Sequence, residues 1–278
     1  STTPSNTKGD NYEKNYFNKD ERFMEEGWRR LSEPEYKNLG LPTESIMIDG
    51  VKYLEKKHEV WVVAPDRNRS GVSHGITMAE PLKLCQLAEN RFSCSGVPAD
   101  CTFTAINGIL NEYPDVVISG INKGPNLGTD IIFSGTAAAA RQASFYGIPG
   151  IAVSLASFEE PLDYSALADF VSKNIEKLVT LCEKDIFLNI NAASLDSYKG
   201  YKLTSLSKRS YQDKVSLYNA PDGKFYSFFL GGGVESLGDD DSDEKATAQG
   251  YVSITRVLSQ PISLEVDLKV QENLCLTI

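Results

Sequence analysis

Three stretches of this sequence place small and polar residues directly after apolar runs: APDRNRSG at 64–71, SGINKGPNLGTD at 119–130 and FSGTAAAA at 133–140. In the third, Ser134-Gly135-Thr136 opens an alanine-rich run. A helix start there presents free N–H groups and the positive end of the helix dipole to an anion, and Gly135 lets a phosphate approach the backbone. The same residues also read as a plain N-cap. The second stretch spaces Gly120, Gly124 and Gly128 among Asn122, Asn126 and Asp130. Glycines bend the backbone and bare its N–H groups, and asparagine offers neutral oxygen to a hard cation. A long turn built from turn-forming residues is the plainer reading. In the first stretch, Ser70 could ligate a metal or a phosphate. Arg67 and Arg69 could meet an anion or belong to a solvated loop. Hydrolysis at a metal further needs a carboxylate to fix the cation. Asp49, after Ile46-Met47-Ile48, is the candidate, and it reads equally as the cap of a helix over VKYLEKK.

Those loops need a scaffold that brings them to one edge. SIMID (45–49), EVWVVA (59–64), PDVVISG (114–120), IPGIAVSLA (148–156) and IFLNINA (186–192) read as strands. Between them, helices are expected over Pro98–Leu110, Ser134–Tyr146 and Tyr164–Cys182. In the first of these, Ala99, Phe103, Ile106 and Leu110 recur at spacings of three and four. Such alternation predicts an α/β fold, a Rossmann-like, mostly parallel sheet with helices on both faces. In such a sheet the strand ends share one edge, where ligands bind. From about residue 200 the pattern changes. GYKLTSLSKRSY, VSLYNAPDGKFYSFFLGG and YVSITRVL alternate like antiparallel strands, NAPDGK is a hairpin turn, and GDDDSDEK is an acidic loop. This predicts a C-terminal β-rich extension, serving as an oligomerisation arm or as a cap over the site. The expected divisions are a polar, partly flexible extension over 1–44 with one short helix at Glu21–Leu31, a core over 45–198, and the β-rich extension over 199–278.

Composition narrows the function. The formal charge of −10 disfavours a duplex nucleic acid held through its phosphates. Five cysteines without a Cys-x-x-Cys pair, and only His58 and His74, leave little for zinc ligation or histidine catalysis and suggest reduced core thiols. No apolar stretch is long enough to span a membrane and no signal sequence is visible, so a cytoplasmic protein is expected. No Gly-x-Gly-x-x-Gly follows the first strand, which disfavours an NAD-linked oxidoreductase, and no Walker A loop occurs.

Taken together, VVAPDRNRSG (62–71), SGVPADC (95–101), PDVVISGINKGPNLGTD (114–130), FSGTAAAA (133–140) and IAVSLA (151–156) resemble the SurE family of survival-protein nucleotidases. Weaker agreement continues through FLNIN (187–191) and GYVSIT (250–255), so the resemblance runs from about residue 45 to the end. It implies a phosphatase that uses one divalent metal ion, Mg or Mn, on nucleoside 5'- or 3'-monophosphates. It also implies a C-terminal extension exchanged between subunits in a homodimer or homotetramer. By position, Ser70 and Asn122 match the family's metal ligands, and Asn126, Ser134, Gly135 and Thr136 match its phosphate loops.

The chain departs from the family at its start. The family's first strand ends in Asn-Asp-Asp-Gly, whereas here Asp-Asp occurs only within residues 239–241 and the nearest match is Ile48-Asp49-Gly50. Asp49 is therefore the expected catalytic and metal-binding carboxylate. A relative that binds nucleotide without turnover is the alternative. The seven residues Val51–Lys57 are also short for a parallel crossover, which needs at least about 10–12.

Overall fold

The structure is a computed structural model and describes residues 51–159 and 161–263. Asp49 and the segments expected as a helix over 21–31 and a strand over 45–49 lie outside the described residues. In chain order the first half contains β1 (Val62–Pro65), β2 (Leu84–Ala88), β3 (Arg91–Cys94), α1 (Pro98–Thr104), β4 (Val117–Lys123), α2 (Gly135–Ser144) and β5 (Gly150–Leu155). The second half contains α3 (Ser165–Val179), β6 (Ile186–Ala192), β7 (Tyr201–Thr204), β8 (Lys208–Tyr211), β9 (Lys214–Asn219), β10 (Phe225–Gly231), β11 (Val234–Leu237), α4 (Asp243–Ala248) and β12 (Val252–Leu258). The mixed α/β architecture, with a parallel-rich central sheet and extra strands near the C-terminus, is the one the apolar runs imply.

The central sheet has the order β4-β5-β6-β12-β7. β4, β5 and β6 run parallel, and β12 is antiparallel to β6. Every residue of β5 is buried. Its alternation divides it between two faces: Ile151, Val153 and Leu155 join Leu167, Val171 and Leu178 of α3, while Ala152 joins Ala137 and Ala140 of α2. Burying each large aliphatic side chain contributes about 1.5–3 kcal/mol, so this layer carries much of the core's stabilisation. α2 packs its alanines close to the sheet. A Cβ on Gly150 would stand 2.0 Å from the Ala140 carbonyl oxygen. Backbone cannot yield cheaply, so Gly150→Ala is expected to cost about 2–3 kcal/mol, read as a lower urea midpoint at unchanged m-value.

Several expectations need correction. The helix from Pro98 stops being α-helical at Thr104 and continues as a π turn over Ala105–Ile109. The extra residue in that turn shifts the positions after it, Leu110 among them, out of the expected spacing. Ile106 is buried, but Phe103 is exposed and lies against the Tyr146 ring. β4 does not end at Gly120. It runs on to Lys123 through a register shift, with Asn122 opposite Ser154 and Lys123 opposite Leu155. β7, which alternates like an antiparallel strand, instead pairs in parallel with β12, because the intervening hairpins and α4 supply a crossover long enough for it.

A second sheet has the order β1-β3-β2, with β1 parallel to β3 and β2 antiparallel to it. Among the described residues β1 and β4 are end strands of separate sheets. Among the described residues both border one cavity, which Ile106 beyond α1 and Val171 and Ile175 of α3 also line. Beyond the central sheet, β8 pairs with β11, and β9 with β10 across the expected turn, where Ala220 N–H donates to the Lys224 carbonyl.

Candidate functional site

All the site residues expected from the sequence that lie among the described residues line this one cavity: Ser70, Asn122, Asn126, Ser134, Gly135 and Thr136. They come from the ends of β1 and β4, which belong to separate sheets among the described residues, and from the start of α2.

The loop after β1 folds on itself. Asp66 N–H donates to the Cys94 carbonyl, and the Asp66 carboxylate lies 3.6 Å from Arg69. Arg69 also donates to the Ser95 carbonyl, so its guanidinium secures the loop after β3. Arg67 is exposed. Ser70 is exposed as well, and its hydroxyl donates to Asn68 Oδ1 at 2.6 Å, leaving the oxygen lone pairs for a cation.

Asn122 is oriented by its own strand end. Its Nδ2 donates to the carbonyls of Lys123 (3.1 Å) and Gly124 (3.0 Å), which fixes the amide and sets Oδ1 toward Thr136, whose hydroxyl lies 3.4 Å away. Gly124, at φ +100°, serves the same turn: a Cβ there would meet the Phe158 ring at 2.3 Å.

α2 begins on a conventional cap. Ser134 Oγ accepts from Ala137 N–H at 3.0 Å, and Ala138 N–H donates to the Ser134 carbonyl. The helix's own pattern gives no partner to the N–H groups of Gly135 and Thr136. These are the donors an anion in the cavity would meet. Gly135 has a packing role besides: a Cβ would stand 2.8 Å from Pro98 Cγ. Ser134→Ala is expected to cost about 1 kcal/mol of stability, read by chemical denaturation.

Three features were not read from the sequence: the residues around Asn126, the pairing of Asp130 with Arg209, and the approach of the C-terminal hairpins. Asn189, Asn191 and Ser154 surround Asn126. Asn126 Nδ2 donates to Ser154 Oγ at 2.7 Å, and Asn126 N–H to Asn191 Oδ1 at 2.9 Å. Asp130 forms an ion pair with Arg209 of β8, and burial, outweighing that guanidinium, raises the Asp130 carboxyl above its ordinary value. Tyr211, Asp213 and Phe229 reach the cavity from the C-terminal hairpins, and Tyr211 meets the Phe133 ring edge-on at 6.4 Å. The polar Asn-x-Asn inside the apolar run IFLNINA was the one legible signal among them.

Other side chains have different duties. His74 Nε2 lies 2.7 Å from Gln142 Oε1 and the ring stacks on Phe145. Cys85, Cys94, Cys101 and Cys182 carry free thiols. Among the described residues no group of three His, Cys, Asp or Glu side chains stands ready to hold a metal, and no helix is long and apolar enough to cross a membrane.

Comparison with known proteins shows the family. Residues 40–213 match the family described as survival protein SurE. The chain is 41% identical over 225 residues to the 5'-nucleotidase SurE of Thermosipho melanesiensis, covering 77% of this chain and 88% of that one. It is 49% identical over 152 residues to the 5'-nucleotidase SurE of Treponema pallidum, covering 53% and 81%. The crystal structure of the SurE protein from Aquifex aeolicus superposes with a TM-score of 0.67 at 34% identity, covering 82% of this chain and 92% of that one. The chain belongs to the SurE family.

Proposed function

We propose that this protein is a divalent-metal-dependent phosphomonoesterase that hydrolyses nucleoside 5'- or 3'-monophosphates. One observation carries the reading: Ser70, Asn122 and the uncapped N–H groups at the start of α2 border a single cavity, in a chain whose relatives are named 5'-nucleotidases. Ser70 Oγ and Asn122 Oδ1 are hard, neutral oxygen donors, the kind suited to Mg²⁺ or Mn²⁺. Asp49 is the carboxylate proposed to join them and to stand beside the reacting phosphorus. When bound, the cation supplies charge stabilisation and orients or activates water. The chain's own part is to hold the phosphoryl oxygens. The N–H groups of Gly135 and Thr136 aim at the charge that grows on them in the transition state. The Thr136 hydroxyl keeps Asn122 turned toward the same point, and the Asn126 loop walls the site.

A second reading is a nucleotide-binding relative that does not turn over. It draws on one feature of the sequence, that Ile48-Asp49-Gly50 offers one carboxylate where the family has Asn-Asp-Asp-Gly. Calorimetric binding of AMP, run beside phosphate release, separates the two readings. Binding with metal-dependent release supports the enzyme. Binding without release in Mg²⁺ or Mn²⁺ supports the second reading, and neither binding nor release rejects both.

We further propose that β9 and β10 form an arm that pairs with a second copy. Leu217, Phe225 and Phe229 are 67%, 73% and 71% exposed, more contiguous apolar surface than a lone hairpin leaves to water. Light scattering should give a dimer or tetramer, and Phe225→Asp should shift it toward monomer. A wild-type monomer at micromolar concentration would contradict the arm.

A further inference from the structure

β4 leaves the central sheet just after Lys123. Gly124 N–H makes a last bond to the Leu155 carbonyl, and the chain then crosses toward Gly128 without strand partners. What holds this crossing comes from β6. Asn189 and Asn191 are wholly buried, two residues apart and therefore on one face of the strand, opposite Ala152 and Ser154 of β5. Asn191 Oδ1 accepts from Asn126 N–H at 2.9 Å, and Asn191 Nδ2 donates to the Asn126 carbonyl at 3.1 Å. The two bonds close a ring, the same exchange of N–H and C=O that neighbouring strands make. Asn189 Nδ2 donates to that carbonyl too, at 2.8 Å.

Packing alone does not call for these residues. The rest of β6 is Ile, Phe, Leu, Ile and Ala, and a buried amide is costly unless its bonds are made. Among the described residues Asn189 Oδ1 has no hydrogen-bond partner. Two buried amides spent on one loop residue make sense if the position of that loop matters more than apolar packing. We infer that Asn191 and Asn189 are positioning residues: they clamp the backbone of Asn126 and thereby fix the loop that sets Asn122 against the start of α2. The inference rests on the proposed reaction for its consequence, and on the loop alone for its geometry.

The test compares wild type with Asn191→Ala, Asn189→Ala and a control, Ile190→Ala. Ile190 lies between the two asparagines and points into the opposite cluster with α3. Two readouts are taken well below the melting temperature: amide hydrogen exchange over residues 124–128, and the Mn²⁺ concentration at half-maximal phosphate release from AMP. Asn191→Ala is expected to speed exchange in that loop and to raise the metal requirement by roughly 10–100-fold, the range for residues that orient ligands. Asn189→Ala, which removes one bond, should do the same to a smaller degree, and it stands in if Asn191→Ala does not fold. Ile190→Ala should lower the melting temperature and leave both readouts near wild type. Loop exchange unchanged in the asparagine variants, or a metal requirement moved no further than in Ile190→Ala, would overturn the clamp. A wild type without phosphatase activity would reject the proposed reaction, while the exchange readout would still decide the clamp.

Discussion

Replacing Asn122 by Ala is expected to lower metal-dependent phosphate release at least about 10²-fold while leaving the protein folded. The amide is held at the strand end by two bonds from Nδ2 to neighbouring carbonyls, so its Oδ1 is presented to the cavity without searching rotamers. In the proposed reaction that oxygen is one of few ligands to the cation, and a 1 Å misplacement alone can cost about 10²-fold. The structural loss is smaller. The carbonyls of Lys123 and Gly124 lose one donor each at a half-buried strand end, about 1 kcal/mol or less apiece if water replaces it. The signature is thus a collapse of kcat/KM with a modest change in melting temperature. Asn122→Asp keeps an oxygen in place and should recover part of the activity, whereas an equal loss in both variants would point to damage of the loop instead.

The largest expected effect on stability belongs to Asp243→Ala. The acidic run GDDDSDEK reads as a solvated loop, yet Asp243 is wholly buried at the first position of α4. Its carboxylate accepts from the N–H groups of Gly128 (2.7 Å), Ser207 (3.0 Å) and Glu244 (2.9 Å). It therefore ties the site loop, the approach to β8 and α4 to one point. Alanine would leave three backbone donors without this partner, those of Gly128 and Ser207 in buried surroundings and that of Glu244 part-buried. At about 1–3 kcal/mol each, and with some relaxation, the loss is about 3–6 kcal/mol. This is a large fraction of the 5–15 kcal/mol that holds a typical domain together. Urea denaturation should read it directly. A change under about 1 kcal/mol would mean that the three segments hold their places without Asp243. Ser242→Ala, which removes only the cap of the short helix, is the natural comparison.

The sequence made the buried strands and the helices between them legible because apolar runs and helical spacing report burial directly. It also named six residues that border one cavity, although β1 and β4 belong to separate sheets among the described residues. What it concealed depends on contacts between distant segments. Asn122 sits in a strand, against the turn-forming look of INKGPN, because pairing with Ser154 and Leu155 overrides local preference. Phe103 faces outward although it stands one helical turn after the buried Ala99, where it lies against the Tyr146 ring. Asp243 is buried because three distant N–H groups need one acceptor. Tyr211 and Asp213 approach the cavity only through the fold-back of the C-terminal hairpins.

The most direct test of the account is release of inorganic phosphate from AMP by the wild type and Asn122→Ala, each with Mn²⁺, with Mg²⁺ and with EDTA. The account predicts release by the wild type that requires the metal, is abolished by EDTA and falls at least about 10²-fold in Asn122→Ala. No release by folded wild-type protein in either metal, or release that survives EDTA or the loss of Asn122, would contradict it.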